Sequence, residues 1–445
     1  MNPRARRILR RTFIAAFFIV APIVILSTAG YRYNFSRQRF ERTGVMLVES
    51  RPEGASVSLN GKPQKEETPA RLQKLSPGPY AVRIEKPGYL PWEKTVEVVS
   101  RETTFLNDIS LFRESAPTLF AEAGTTSGET FSYDARYAAA VTTTRSGSEL
   151  LIVDLRNGVE TRPYRTSAEA SALRLSWARD GRRLLVRLAG RAPKYLLWDA
   201  AAPEGVSDLA DEVGLAISDA FWSQDDDKLY ASSKGVLYEL DTELAVATPA
   251  GPAPASAVVA GGMVYGIAPG TPPTLVKRRL RDAAYETVAE LPSADFVPLP
   301  GRERKIAYVA TSGERLFIID PASGRPGAFE GRGRGGAWSA DGERLIYWND
   351  LEVRLYDGKN GFDALITRLS GPIRQAAWHR PEWNALYVSG DALFAVETSD
   401  RSGRVTVPLG AFDKLNAFAS GRNGDSLYAF GTYGGRQGLW RLRLR

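Results

Sequence analysis

One pattern of polar and apolar positions returns along most of the chain. An aromatic residue and Ser are followed by a polar turn, and then by two or more apolar residues that include Tyr. The clearest copies are WSQDDDKLYA from Trp222, WSADGERLIYW from Trp338 and WHRPEWNALYV from Trp378. Weaker copies lie near Phe131, Ser176, Ala260, Leu299 and Phe418. Short apolar segments separated by Asp-Gly turns are typical of strands, so the pattern predicts all-β structure.

The spacing of the copies predicts a closed ring of sheets. The landmarks are Phe131, Trp177, Trp222, Val259, Val297, Trp338, Trp378 and Phe418. They follow each other at steps of 46, 45, 37, 38, 41, 40 and 40 residues. A period near forty with about four strands per unit is typical of a β-propeller. We therefore predict a propeller over residues 114–445 with eight blades; seven is the alternative if one weak repeat is not a full blade.

The last repeat lacks an outer strand. The chain ends on LWRLRL, which corresponds to the third strand of the other repeats. Residues 117–122, just before the first repeat, contain the apolar segment TLFAE. We expect this segment to complete the last blade, since closure removes an exposed sheet edge.

Residues 12–30 form an uninterrupted run of nineteen uncharged residues. As a helix this run would cover about 28 Å, close to the thickness of the hydrocarbon core of a bilayer. The pattern predicts one transmembrane helix at about residues 12–30, within an N-terminal region 1–43 that also holds a cytoplasmic tail and a juxtamembrane segment. A cleavable signal peptide and a buried soluble helix are the alternatives. The first two interpretations both place the C-terminal body outside the cytoplasm, and the favoured location is the cell membrane.

Residues 44–113 have their own turn chemistry. The segments GVMLVES, ASVSLNGKP and YAVRIEK alternate apolar and polar residues, as half-buried strands do. Asn60-Gly61 is a strong hairpin signal, because both residues accept a positive φ. Pro77-Gly78-Pro79 and Pro87-Gly88 are further turns. The region is predicted to be a small β-sandwich.

This region resembles the PEGA domain. Pro52-Glu53-Gly54-Ala55 is followed in order by Asn60-Gly61, Thr68-Pro69, a segment that ends at Tyr80, and the sequence KPGY that ends at Tyr89. PEGA domains are non-catalytic modules of bacterial and archaeal envelope proteins. The resemblance implies that Gly54 and Gly61 serve turns, that Pro69 starts a strand, and that Tyr80, Tyr89 and Trp92 are core or interface aromatics. A spacer and a module that binds a partner or wall polymer are the two roles this leaves open.

The charge is concentrated at the N-terminus. Residues 1–42 hold nine arginines and one glutamate, which gives this segment a net charge of +8. The whole chain has a net charge of +7, so the remaining residues, 49 basic and 50 acidic, have a net charge of −1. The body therefore lacks the basic footprint of a nucleic-acid-binding protein. The chain contains no cysteine and one histidine, which excludes disulfides, thiolate metal sites and multi-histidine sites.

Several residues are of the types that occur in catalytic or binding sites, and each has a structural interpretation that we favour. The aspartates at the turns recur at equivalent positions, so we interpret them as turn formers. Asp225-Asp226-Asp227 is expected to be a solvated turn and not a Ca²⁺ site. The basic run Lys277–Arg281 is expected to be a solvated blade edge, with contact to anionic lipid or wall polymer as the alternative. The glycine-rich segment 331–336 is expected to link two blades, since it lacks the Lys-Ser/Thr of a phosphate loop. For His379, a structural role is favoured over that of a general base.

The repeats resemble those of TolB-like and WD-type propellers, a likeness that implies a fold and not an activity. We predict a non-enzymatic, membrane-anchored cell-envelope protein that binds a protein or a polysaccharide. We assign no catalytic residue, no metal site and no cofactor, and the sequence singles out no binding residue. The alternative is an extracytoplasmic propeller hydrolase or lyase that acts on glycans.

Overall fold

The computed structural model describes residues 3–28, 31–34, 39–293, 295–299, 301, 305–311, 315–319, 329–380 and 382–445. These residues form two compact units. The first comprises Met1–Glu114 together with Ser399–Val405, and the second comprises Ser115–Thr398 together with Thr406–Arg445.

The N-terminal region begins with helix α1 (Pro3–Thr28) and continues with the antiparallel pair β1 (Tyr31–Asn34) and β2 (Arg39–Arg42). In the part of the chain that the structure describes, no helix has both the length and the apolar character needed to cross a membrane. The transmembrane helix predicted at about residues 12–30 is therefore wrong.

The rest of the first unit consists of two sheets. Its strands are β3 (Gly44–Arg51), β4 (Ser56–Leu59), β5 (Lys62–Glu67), β6 (Ala70–Leu75), β7 (Gly78–Glu85), β8 (Trp92–Val98) and β9 (Thr103–Ser110). One sheet has the order β6-β3-β9 and the other β5-β4-β7-β8. Strands β3 and β9 pair in parallel, and the other pairs are antiparallel. The predicted alternation is present, since β3 buries every second residue from Gly44 to Ser50.

The two sheets share one apolar core. Met46, Val57 and Ile84 are fully buried in it, and Trp92 is 3% exposed. Tyr80 and Tyr89 pack against the same core, which agrees with the role that the resemblance implied for them. Gly54 and Gly61 have φ of 71° and 75°. Both glycines therefore occupy the left-handed conformation that their predicted turns require.

The second unit contains eight four-stranded antiparallel sheets, numbered here in chain order. Sheet 1 is formed by β11 (Thr126–Phe131), β12 (Tyr137–Thr144), β13 (Gly147–Asp154) and β14 (Glu160–Thr166). Sheet 2 is formed by β15 (Leu173–Trp177), β16 (Arg183–Leu188), β17 (Lys194–Asp199) and β18 (Ser207–Asp208). Sheet 3 is formed by β19 (Asp219–Trp222), β20 (Leu229–Ser233), β21 (Val236–Asp241) and β22 (Val246–Pro252). Sheet 4 is formed by β23 (Ala255–Ala260), β24 (Met263–Ala268), β25 (Thr274–Arg279) and β26 (Glu286–Glu290). A 3-10 turn at Ala170–Ala172 precedes sheet 2, and a short helix α2 (Leu209–Val213) follows it.

Sheet 5 is formed by β27 (Phe296–Pro298), β28 (Ile306–Ala310), β29 (Leu316–Ile319) and β30 (Phe329–Gly331). Sheet 6 is formed by β31 (Gly335–Trp338), β32 (Arg344–Trp348), β33 (Glu352–Asp357) and β34 (Phe362–Arg368). Sheet 7 is formed by β35 (Ile373–His379), β36 (Asn384–Ser389), β37 (Ala392–Glu397) and β38 (Thr406–Ala411). Sheet 8 is formed by β39 (Lys414–Ser420), β40 (Ser426–Tyr433), β41 (Arg436–Arg443) and β10 (Thr118–Glu122).

Neighbouring sheets are joined face to face by shared apolar clusters. One cluster, for example, contains Ile152 of sheet 1 and Trp198 of sheet 2, and another contains Ile318 of sheet 5 and Trp338 of sheet 6. Sheets 7 and 8 are joined by Gln375, whose side chain bonds both the amide and the carbonyl of Phe418. Sheets 8 and 1 again share a cluster. The series closes on itself, so the second unit is an eight-bladed β-propeller in which each sheet is one blade.

Strand β10 completes the last blade. It pairs antiparallel with β41, with Thr118 opposite Arg441 and Leu119 opposite Trp440. Ala121 is 5% exposed and belongs to the cluster between sheets 8 and 1. The prediction that residues 117–122 supply the missing strand is confirmed.

The recurring aspartates form turns. Asp134, Asp180 and Asp341 each accept a hydrogen bond from the backbone N–H two residues further on. The aspartates that end third strands do the same, as in the bonds from Arg156 N to Asp154 and from Lys359 N to Asp357. Because one geometry recurs from blade to blade, the interpretation of these residues as turn formers is confirmed.

His379 joins sheets 7 and 8. Its side chain has no exposed surface, and its Nε2 lies 3.0 Å from the carbonyl oxygen of Gly424. Burial lowers the pKa of this imidazole to about 4. The ring is therefore neutral at pH 7 and donates Nε2–H to Gly424. Asn384 and Glu397, its neighbours across strands β36 and β37, are also buried, so His379 belongs to an internal polar row.

The closure by β10 can be tested with a buried charge. The Ala121→Asp variant places a carboxylate in the cluster between sheets 8 and 1, and we expect it to lower the free energy of unfolding by about 3 kcal/mol or more. The control is Ala202→Asp, at an exposed turn position, where a change within about 0.5 kcal/mol is expected. Urea unfolding measures both values, and equal effects of the two substitutions would contradict the closure.

The buried histidine predicts a pH dependence of stability. The unfolded chain binds a proton at His379 below pH 6.5, whereas the folded protein does so only near pH 4. The free energy of unfolding should therefore fall as the pH drops from 6.5 to 4, by up to about 3 kcal/mol from this group. Urea unfolding between pH 4 and 7.5 tests this against His379→Gln, which keeps an N–H donor but does not titrate. Identical pH profiles for the two proteins would refute the assignment.

Candidate functional site

A cavity of about 130 Å³ lies where the first strands of sheets 2, 3 and 5 end, and the middle of the first strand of sheet 4 also lines it. We call it the Gln224 cavity. Its lining residues are Tyr133, Ser176, Trp177, Arg179, Phe221, Trp222, Ser223, Gln224, Ala257, Val258, Pro298, Leu299 and Gly301. These residues come from five consecutive blades, sheets 1 to 5, and most belong to the recurring aromatic-Ser phrase or lie next to it. The phrase that builds the blades therefore also supplies the walls of the cavity.

The aromatic walls are held by contacts between blades. Trp222 is 8% exposed, and its indole Nε1 donates to the carbonyl oxygen of Ser176 in the preceding blade at 2.9 Å. The guanidinium of Arg183 lies over the Trp222 ring at 5.1 Å. Trp177 is 4% exposed and packs edge-on against Trp198. Both tryptophans are thus positioned before any ligand arrives.

Gln224 connects three blades. Its backbone N–H donates to Val259 O of sheet 4 at 2.9 Å, and its side-chain Nε2 donates to Leu299 O next to sheet 5 at 3.0 Å. The residue is 8% exposed. Its amide orientation is set by the bond to Leu299, because a carbonyl accepts and does not donate.

The side-chain oxygen of Gln224 has no hydrogen-bond partner among the described residues. Gly301 lies directly beside it, and a Cβ at that position would overlap Gln224 Oε1. The absence of a side chain at residue 301 therefore leaves room for the amide. A buried acceptor without a donor is costly, by about 1–3 kcal/mol.

Trp177 supplies a second buried polar atom. In two sister blades the corresponding indoles donate to the preceding blade, from Trp222 to Ser176 O at 2.9 Å and from Trp378 to Ala337 O at 2.8 Å, whereas Trp338 Nε1 has no partner among the described residues. Within the described part of the chain, Trp177 Nε1 has no such acceptor. The cavity is therefore lined by one residue with an unsatisfied acceptor and one with an unsatisfied donor.

Among the described residues that line the cavity, Arg179 is the only basic or acidic one. Its Nη1 donates to the carbonyl oxygens of Gln224 and Asp225, both at 3.2 Å. The Arg179 guanidinium thus also braces the turn that carries Gln224.

The three adjacent aspartates do not converge on one point. Asp225 accepts from Ser223 Oγ and from Gly261 N, and Asp226 accepts from Lys228 N. These bonds agree with the predicted turn. Among the described residues, no group of three His, Asp or Glu side chains is placed to hold a metal ion.

The basic run Lys277–Arg281, predicted to be a solvated blade edge, is partly buried. It lies on and after β25, the third strand of sheet 4, but Arg278 is 1% exposed, so its assignment to a solvated edge is wrong. Alternation along the strand turns this one side chain inward. Its Nε and Nη2 donate to Pro252 O at 3.2 and 2.6 Å, and its guanidinium lies 5.5 Å from the Tyr285 ring.

A larger cavity of about 610 Å³ lies beside this strand. Its walls carry charges of both signs, with Lys277 and Arg279 near Asp282 and Glu286. Lys277 pairs with Glu286 at 3.7 Å. Because the charges oppose one another, this cavity shows no preference for an anion or a cation.

The glycine-rich segment 331–336 links sheets 5 and 6, as predicted. Gly331 ends β30, while Gly335 and Gly336 begin β31. A Cβ at Gly335 would overlap the ring of Trp348. This glycine is therefore required by packing, and no phosphate loop is needed to explain it.

Titratable groups with shifted pKa values also occur in the contact between sheets 2 and 3. Tyr195 donates to Asp219 at 3.1 Å and accepts from Arg187 at 3.1 Å. Burial raises the pKa of Asp219 above its usual range and that of Tyr195 to about 12. Such shifts mark candidate sites. However, a similar set (Tyr347, Asp363, Arg354) recurs in sheet 6, which favours a structural role.

Sequence reasoning did not single out Gln224, Gly301 or Trp177 as a site. Gln224 occupies the variable position of the W-S-x-D phrase, and Gly301 is 77 residues further along the chain. At neither position does the repeated phrase require a particular residue. The sequence offers one indication of Gln224. The glutamine is not repeated at the equivalent position of sister blades, which have Ala340 and Arg380 there.

Comparison with known proteins identifies the modules. Residues 43–110 match the family model of the PEGA domain. No curated protein sequence matches the chain. Among solved structures, the C-terminal WD40 domain of Sif2 is similar at 12% identity, with 74% of this chain and 98% of that chain covered and a TM-score of 0.47. The Dos1 propeller is similar at 14% identity, with 73% and 93% covered and a TM-score of 0.48.

The β-propeller domain of Cps50 (Swd1) from Myceliophteria thermophila is similar at 14% identity. The alignment covers 73% of this chain and 99% of that chain, with a TM-score of 0.42. Residues 43–110 thus match the PEGA domain, and the eight sheets described above form the β-propeller.

Proposed function

We propose that this chain is a non-enzymatic binding protein whose propeller holds a partner protein through the Gln224 cavity. The observation that carries the proposal is the cavity itself, which residues of five consecutive blades line and whose aromatic walls are fixed by contacts between blades, such as the bond from Trp222 Nε1 to Ser176 O at 2.9 Å. Concave sites with largely preformed, mostly apolar walls are where ligands bind most often.

The size of the cavity favours a protein partner. Pockets for whole small molecules are typically about 300–1,000 Å³, whereas the Gln224 cavity measures about 130 Å³. This space suits one inserted side chain, with further contacts made on the surrounding loops. A polysaccharide would instead require an open groove several rings long. No specific observation favours the alternative of a glycan hydrolase or lyase.

In this proposal the PEGA domain is either a spacer for the propeller or a second module that contacts the partner. A cell-envelope location belongs to the same proposal. It rests on the PEGA match alone, since the predicted membrane helix no longer supports it.

Site-specific photocrosslinking tests the proposal. A benzoylphenylalanine introduced at Ser176, which is exposed and lines the cavity, should link the full-length protein to one partner protein in cells of the source organism. The Gly301→Ala substitution displaces the Gln224 amide and should weaken this adduct about tenfold, the effect of losing roughly 1.4 kcal/mol of binding free energy.

Leu244 is the matched control. It is 72% exposed in the turn between β21 and β22 and does not line the cavity. A probe there should give no adduct with the same protein. The proposal fails if both positions link equally, if Gly301→Ala has no effect, or if the Ser176 probe links only to polysaccharide.

A further inference from the structure

We infer that Asn360 is a modification site, at which the folded protein converts the asparagine to aspartate and isoaspartate without an enzyme. The chain contains four Asn-Gly pairs, and the small second residue of each leaves its backbone nitrogen accessible. The pairs are Asn60-Gly61, Asn157-Gly158, Asn360-Gly361 and Asn423-Gly424. The structure distinguishes one of them from the other three.

The reaction joins two neighbouring groups of the chain. The backbone nitrogen of Gly361 attacks the side-chain carbonyl carbon of Asn360, and its proton leaves with the side-chain NH2 group as ammonia. The product is a succinimide ring. Water then opens the ring at either carbonyl, which gives aspartate or a chain that runs through the side chain, isoaspartate. The attack requires a glycine N–H and an asparagine side chain that are both free to turn.

The turn that carries Asn360 leaves both groups nearly unrestrained. It connects β33 to β34, and Asn360 and Gly361 are exposed in it. In the part of the chain that the structure describes, the N–H of Gly361 makes no hydrogen bond. The Asn360 side chain makes one long contact, from Nδ2 to Asp357 Oδ2 at 3.5 Å. A Cβ placed on Gly361 would meet no atom within 4 Å, so the turn is open on this side.

The corresponding turn of sheet 1 holds both groups. It also begins at the Asp that ends a third strand, Asp154. The N–H of Gly158 donates to Asp154 O at 2.8 Å, and the N–H of Val159 donates to Asn157 Oδ1 at 3.0 Å. These two bonds must break before Asn157 reacts, whereas Asn360 has neither.

The other two pairs are restrained as well. Asn60 Oδ1 accepts from Ala81 N at 2.8 Å, and Asn60 N donates to Ala81 O at the same distance. Gly424 is buried, and its N–H donates to Gly421 O at 3.0 Å. Asn360 is therefore expected to react first.

The modification changes the outer hairpin of sheet 6. It places a carboxylate beside Asp357, and like charges repel. Isoaspartate also adds a backbone atom to a turn whose flanking residues, Asp357 and Phe362, are paired. The modification is separate from the proposed function, because the residues that line the Gln224 cavity come from sheets 1 to 5.

Peptide mapping by mass spectrometry tests the inference on the full-length folded protein, aged at mildly alkaline pH in water labelled with oxygen-18. The label marks residues converted during the incubation. Asn360 should convert at least about tenfold faster than Asn157, which corresponds to about 1.4 kcal/mol for the two bonds that hold the latter. In urea the four rates should become similar, because unfolding removes the bonds.

The Asn360→Gln variant should lack the fast conversion, and the matched control, Asn157→Gln, should retain it. Conversion of any other Asn-Gly pair as fast as that of Asn360 overturns the inference. So does a rate difference that persists unchanged in urea. Conversion of Asn360 in urea but not in the folded protein also overturns it. The Ser176 crosslink decides the proposed function independently of all these outcomes.

Discussion

The pairing of β10 with β41 is the contact on which the architecture of the second unit depends. Each blade is a four-stranded sheet that buries its faces only against its neighbours, through clusters such as the one shared by sheets 8 and 1. A row of such sheets would end in two uncovered faces and an unpaired edge. Bringing a strand from before the first repeat, residues 118–122, into the last blade removes that edge and joins the ends of the row.

Repetition accounts for most of the polar chemistry that attracts attention in the sequence. The Asp residues that look like candidate acids accept backbone N–H groups in the same way in several blades, as in the turns of Asp134 and Asp341. The Tyr–Asp–Arg clusters around Tyr195 and Tyr347 likewise occur twice. A group that serves every blade supports the fold. The candidate site consists instead of positions where one blade departs from the others, above all Gln224 and Gly301.

The predictions for the uncharged run and for the basic run failed for the same reason. The residue types in a segment do not show which other parts of the protein that segment contacts. The uncharged run at residues 12–30 predicted a membrane helix, yet no described helix is long and apolar enough to cross a bilayer. The basic run predicted a solvated edge, yet the Arg278 guanidinium is turned inward by strand alternation and donates to Pro252 O. Composition indicates what a segment prefers, whereas the neighbouring strand or turn decides what it contacts.

The sequence by itself determined the all-β class, the PEGA-like region and the repeat of about forty residues, because these depend on periodicity and turn residues that are local in the chain. It also predicted the closing strand, since an unpaired last blade demands a partner. Only the tertiary structure decided that Trp177, Gln224 and Gly301 meet at one cavity. They come from different blades, and their proximity depends on how the sheets are arranged around the ring. No local pattern encodes that distance. The unsatisfied state of Gln224 Oε1 likewise emerges only when all neighbouring atoms are in place.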